Sequence, residues 1–181
     1  MNINYQNFLL IIIILSAFIP RIQSEEYLHI LNDKNISNTY ISAKTLIKSQ
    51  KIVIEKEALG VNICFEIENP LKEYYNLSEE TKNNLKNIEK FLAKNKNPVI
   101  IEVHTDKNNL PRGINLKNWE LSTVISNNIE HYILSEFKNT NKINLLSIGY
   151  GEFLPQKNTS NNGGKFVNRV DIMVLCSING E

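Results

Sequence analysis

Between Ser78 and Asp106 the hydrophobic period changes once, from helix to strand, and that change restricts the folds open to the chain. The first part, "SEETKNNLKNIEKFLAKNKNP", sets Leu85, Ile88 and Leu92 on one helical stripe. Ser78 is a good N-cap, since its hydroxyl can accept from an unpaired amide of the first turn. Glu79 and Glu80 follow in that turn and lysines crowd the last, each sign placed against the opposite end of the helix dipole. Pro98 closes the helix, and "VIIEVHTD" begins at once: a short apolar strand ending in His104, Thr105 and Asp106. A helix and a strand so closely joined bury their apolar sides together only in a layered fold with a sheet. The polar end of that strand is where function is expected.

The flanking segments extend the pattern. "KIVIEKE" (51–57) alternates as a strand, Gly60 punctuates, and "VNICFEI" follows. There Val61, Ile63, Phe65 and Ile67 share one face, while Asn62, Cys64 and Glu66 share the other, as in a sheet with one covered side. A second helix runs from about Trp119 to Phe137, with Leu121, Val124, Ile125, Ile129 and Ile133 as its stripe. "INLLSIG" (143–149) and "VDIMVLC" (170–176) are further strands, separated by the Gly/Asn-rich "GYGEFLPQKNTSNNGGK". Residues 25–49 are mixed and polar, with a short helix expected near Ser42–Lys48. The order β-α-β-α-β-β predicts one α+β domain, both helices on one face of a mixed sheet.

Of the 181 residues 42% are hydrophobic and 22% charged, the composition of a globular domain. A formal charge of +1 argues against a dedicated nucleic-acid binder. The apolar run Phe8–Pro20 falls short of the roughly 20 residues that span a bilayer as a helix. With Ser24 at −1 and Ile22 at −3, residues 1–24 read as a cleaved secretory signal, although the segment before the run has no Lys or Arg; a short uncleaved anchor is the alternative. Cleavage would remove Arg21 and no acid. The expected division is 1–24 signal, 25–59 N-terminal extension, 60–177 folded domain and 178–181 tail. Export permits a disulfide between Cys64 and Cys176, but two packed thiols fit equally. Three histidines without CxxC or HxxxH spacing offer no structural zinc site.

Four pieces now stand in order: "HTD" after a strand, "NWELS" opening a helix, "GYGE..P" after the next strand, and "NRV" entering the last. Together they resemble the OmpA-like peptidoglycan-binding domain, over roughly Val61–Leu175. The resemblance implies non-covalent binding of peptidoglycan in the periplasm, through the diaminopimelate residue of its stem peptide, with no cofactor and no catalysis. In the family pattern the Asp of "HTD", here Asp106, meets the ammonium, and an Arg in "LSxxRA" meets the carboxylate, as a zwitterion requires. The ligand-binding residues it implies are Asp106, Thr105, Asn118, Leu121 and Arg169. Arg112, in the loop after Asp106, is a further candidate.

The sequence departs from that pattern at the second half of the clamp. "LSxxRA" stands as Leu121-Ser122-Thr123-Val124-Ile125-Ser126, so Ile125 occupies the Arg position. Val103 replaces the Gly before "HTD", and one Arg of a closing "NRRV" is missing. Removing one member of a charge pair leaves the other unmatched. Another cation substitutes (Arg112, Lys107 and Lys117 are the candidates), or the ligand is altered, or binding has given way to an interaction role with an envelope protein. A proton-driven stator role, suggested by the wording "NWELS", needs an acid within the membrane segment. Residues 8–20 contain none.

Plainer roles compete at single residues. His104 reads as a structural hydrogen-bonder rather than as the base of a triad with Asp106 and Ser122, because no nucleophile elbow exists. Asp106 can cap its loop, Asn118 can cap the second helix, Trp119 can anchor the helix start, and Arg169 can pair with a carboxylate such as Glu152. No helix follows "GYGE" to hold a phosphate, so its glycines are expected to let the chain turn.

Overall fold

The computed structural model describes residues 32–106, 110, 116–138, 143–153, 157–158, 165–166 and 168–176. The expected signal, Lys107, Arg112 and the tail 178–181 lie outside them. In chain order the elements are α1 (32–46), β1 (Val53–Glu57), β2 (Gly60–Glu66), α2 (Pro70–Tyr75), α3 (Glu79–Leu92), β3 (Val99–His104), α4 (Asn118–Glu136) and β4 (Leu145–Gly151). The two-residue strands β5 (Lys157–Asn158) and β6 (Lys165–Phe166) pair with each other, and β7 (Arg169–Leu175) ends the fold. The α+β fold with a mixed sheet is as expected. No helix among the described residues is long and apolar enough to cross a membrane.

The main sheet has the order β1-β2-β7-β3-β4. Its neighbours are antiparallel except β3 and β4, which run parallel. Register assembles the core. Val61, Ile63 and Phe65 lie opposite Val174, Ile172 and Val170, which in turn lie opposite Val99, Ile101 and Val103. This buried apolar band joins the inner faces of α3 (Leu85, Ile88, Leu92) and α4 (Leu121, Ile125, Ile129, Ile133) in one core. Val124, expected in the α4 stripe, is only half-buried, since it falls at the edge of that face.

Ser78 caps α3 as expected, its Oγ accepting the Thr81 amide at 3.1 Å. The short α2 is additional. Asn69 caps it, Pro70 begins it, and buried Glu73 binds the Ser78 amide and the Thr81 hydroxyl, each at 2.9 Å. A helix of six residues is too brief to display a periodic stripe, so the sequence pattern did not announce it.

The expected helix at Ser42–Lys48 is instead a helix over 32–46. Its Ile36 and Ala43, with Ile47 just beyond, are buried in the same core as Ile52 and Ile54 around β1. The sheet face away from α4 also differs from the alternation's promise. Asn62 and Cys64 are as buried there as the apolar residues opposite.

Candidate functional site

Parallel pairing sets the C-terminal ends of β3 and β4 side by side, and the start of α4 is fastened to both. The Thr105 amide donates to Gly151 O at 3.0 Å. Its hydroxyl donates to Asn118 Oδ1 at 2.8 Å, and Asn118 Nδ2 donates back to Thr105 O at 2.9 Å and on to Glu152 Oε2 at 2.6 Å. One amide side chain thus joins the β3 end, the β4 end and the helix. Asn118 is not the N-cap. That position belongs to Lys117, whose amide donates to Glu120 Oε2 at 2.7 Å. The Asn118 side chain is engaged in tertiary bonds instead.

Ser122, of the "LS" pair, accepts the Gly151 amide at 2.8 Å and donates to Trp119 O at 3.0 Å. Fully buried and bonded on both sides, it is a fastener of α4 to β4. The two glycines of "GYGE" divide their work. Gly151 adopts φ +55°, a left-handed conformation, where the chain was expected to turn. Gly149 is needed for close approach, since a Cβ on it would lie 2.1 Å from the Thr123 nitrogen of α4.

Asp106 follows directly on this lattice. Its amide donates to Asn168 Oδ1 at 2.8 Å, and Asn168 O accepts the Ile67 amide at 2.9 Å, so the residue before β7 fixes the backbone of the "HTD" corner. Asp106 is half-buried, and Glu152 is exposed. Trp119 and Phe153, 45% and 74% exposed, border the same corner in sequence. Trp119 thus stands partly exposed at the start of α4. Leu121 is fully buried and supports the site from beneath. Ile125, one helical turn further on, is likewise fully buried in the core. The structure thus brings Asp106, Thr105 and Asn118 together, with Glu152 as a neighbour not expected at the site.

Arg169 belongs to a different cluster. It lies opposite His104 on β7, buried, and its Nε donates to Asp171 Oδ2 at 2.7 Å. The carboxylate partner is therefore Asp171 rather than Glu152. Asn62 Nδ2 donates to Asp171 Oδ1 at 2.9 Å, His104 Nε2 stands 3.3 Å from Oδ2, and the His104 ring stacks on Tyr150 with centroids 5.1 Å apart. Burial alone would push the Asp171 carboxyl up. The Asn62 bond, the Arg169 charge and a contact from Cys64 outweigh it and hold the carboxyl below its ordinary value. Burial also pushes up the Tyr150 phenol, with Glu102 adding to the effect. His104 was expected to tie its strand to the following loop; the structure sets it against Asp171 and Tyr150 of the neighbouring strands. Strand alternation set Asn62 and Cys64 on one face of β2 but could not show which residues of other strands they meet.

Glu102, His104 and Asp171 form the one group of three metal-ligand side chains within 4.8 Å among the described residues. The Arg169 guanidinium already pairs with the Asp171 member of this group. Cys64 and Cys176 are both free and buried. Cys64 pairs with Asp171 on β7, which places it roughly 16 Å of strand from Cys176 at about 3.3 Å per residue. That exceeds the roughly 7 Å a disulfide can bridge.

The sequence profile of the OmpA family matches residues 72–169, more than half of the chain. Comparison with curated proteins finds no match. Among solved structures, a putative MotB-like protein from Desulfovibrio vulgaris superposes with a TM-score of 0.63 at 16% identity, covering 84% of this chain and 98% of its own. The periplasmic domain of Helicobacter pylori MotB gives 0.57 at 19% identity, covering 72% and 82%. The cell wall anchor of the T6SS from Pseudomonas aeruginosa gives 0.55 at 19% identity, covering 77% and 97%. At these identities the likeness concerns the fold.

Proposed function

The chain belongs to the OmpA family, and from that premise we propose that it is an exported envelope protein that binds peptidoglycan non-covalently through the stem peptide. Domains of this family are of the peptidoglycan-binding kind and sit in envelope complexes; they bind and do not catalyse. The observation that carries the reading is the "HTD" corner. Asp106 is presented at a strand end whose backbone is locked by Gly151, Asn118 and Asn168. Such locking suits a grip, because the carboxylate is positioned before the ligand arrives. Asp106 meets the ammonium of the stem's diamino acid. Thr105 and Asn118 hold the corner, and Arg169 and Leu121 support it from within.

Against diaminopimelate the grip is weakened or altered, because Ile125 cannot meet a carboxylate. The same substitution favours a second reading, an interaction domain that has kept the fold and now serves a protein partner in the periplasm. Co-sedimentation of the purified protein with sacculi of several stem-peptide types separates the two. The expected result is retention on at least one type, reduced about tenfold by Asp106→Ala. Retention on every type no better than that of an unrelated neutral protein would discard the peptidoglycan reading in favour of the partner reading.

A further inference from the structure

Charge is unevenly spread along the chain, and an excess of cations lies on two adjoining helices. Residues 32–51 and 79–97 together hold nine lysines and four acids, while the whole chain has a formal charge of +1. Their helices, α1 and α3, lie side by side. Asn38, Thr39 and Ser42 of α1 line one hollow with Phe91 and residues 94–97 at the end of α3, and Lys51 pairs with Glu80. On α1 the burial of Ile36, Ala43 and Ile47 turns Lys34, Ile41 and Lys48 outward at intervals of seven residues, with Lys44 beside them. On α3 the burial of Leu85, Ile88 and Leu92 does the same for Lys86 and Lys90, with Lys94 one turn on. Of the four acids, Glu79 and Glu80 are paired with Lys82 and Lys51, Glu89 is half-buried and accepts the Lys138 amide at 3.4 Å, and Asp33 stands in the first turn of α1. At the rim Glu68 lies near Lys51, and Glu136 and Lys138 offset each other at the end of α4. Lys86, Lys90 and Lys94 are exposed and have no acid partner among the described residues.

We propose that the outer side of α1 and α3 is a docking surface for an anionic phospholipid bilayer, held by the lysines at the head groups and by Ile41 in the interfacial layer. Each lysine brought near such a surface strengthens binding about fivefold at low salt. Ile41, 61% exposed among the lysines of α1, is what favours a bilayer over a polyanion in solution. An apolar side chain gains nothing beside phosphate in water, and it gains transfer free energy at the acyl boundary. Neither helix carries a residue of the "HTD" corner, so membrane docking and stem-peptide binding are separable.

The experiment is co-sedimentation of the purified protein with sucrose-loaded vesicles of phosphatidylcholine, with and without about one-third phosphatidylglycerol. The expected result is at least about tenfold stronger binding to the anionic vesicles in dilute buffer, a preference abolished at about 0.5 M salt. The apolar run Phe8–Pro20 carries no charge, so any binding through it is common to both vesicle types. Lys86→Glu with Lys90→Glu, folding checked by a circular dichroism melt, is expected to weaken anionic-vesicle binding about tenfold or more, and Ile41→Ser about threefold or more. The same charge reversal outside both helices, Lys157→Glu with Lys165→Glu, is expected to stay within about threefold of the unaltered protein. Equal binding to the two vesicle types overturns the proposal, and so does an equal loss from the two reversed pairs. Undiminished binding by Ile41→Ser, with complete displacement by soluble inorganic polyphosphate, also overturns it and assigns the lysines to a polyanion in solution.

Discussion

Asp171 is a carboxylate with almost no access to water, kept ionised by Asn62 and Arg169. Breaking a buried pair by removing one partner leaves the other charge uncompensated, so Arg169→Met is expected to cost about 3 kcal/mol or more in urea unfolding. The pH dependence follows from the direction of the Asp171 shift. In the unfolded chain this carboxyl has its ordinary value near 3.8, and the folded value lies below that. The unfolded state therefore binds the proton first as the pH falls. The stabilisation is complete above the unfolded value and disappears as the pH drops through the folded one. Asp171→Asn should flatten this part of the acid limb when stability is measured against pH. At the functional corner, Asn118→Ala removes bonds to Thr105 and Glu152 and is expected to cost about 1–3 kcal/mol. Stem-peptide binding should weaken with it, because the backbone ahead of Asp106 is then less firmly held.

Helix α4 positions the site by lying unusually close to β4. Gly149→Ala would push a methyl into the Thr123 backbone, so helix and strand must part. A loss of about 1–3 kcal/mol is expected in denaturant unfolding, at the overpacking scale. Much of this level was legible in the sequence. The stripes of α3 and α4 and the alternation of β2 reported the core because apolar period follows burial directly. The motif order identified the "HTD" corner and its family. What stayed hidden depended on distant pairing. The five-strand order, the seating of α1 and the meeting of His104, Asp171, Arg169 and Asn62 are set by register between segments far apart in sequence. Asn118 shows the same limit at one residue. An Asn opening a helix reads as a cap, and only the packed structure shows its side chain turned to two strand ends.

At the scale of the whole molecule, the N-terminal helix is part of the core. Ile36, Ala43 and Ile47 are buried with the sheet, each isoleucine worth about 1.5–3 kcal/mol of transfer. Deleting residues 32–50 is expected to lower the thermal midpoint and expose apolar surface that binds a hydrophobic dye. Thiol titration in denaturant without reductant should count two free thiols per chain, since register holds Cys64 and Cys176 apart. The central claim is that the end of β3 is a ligand grip in an otherwise structural domain. It is tested most directly by recording the backbone amide spectrum of the labelled protein during titration with soluble muropeptides of several stem-peptide types. Shifts centred on Thr105, Asp106, Asn118 and Glu152, saturating together, are the result predicted here. A spectrum that does not change, or one that changes only at residues remote from that corner, would contradict it.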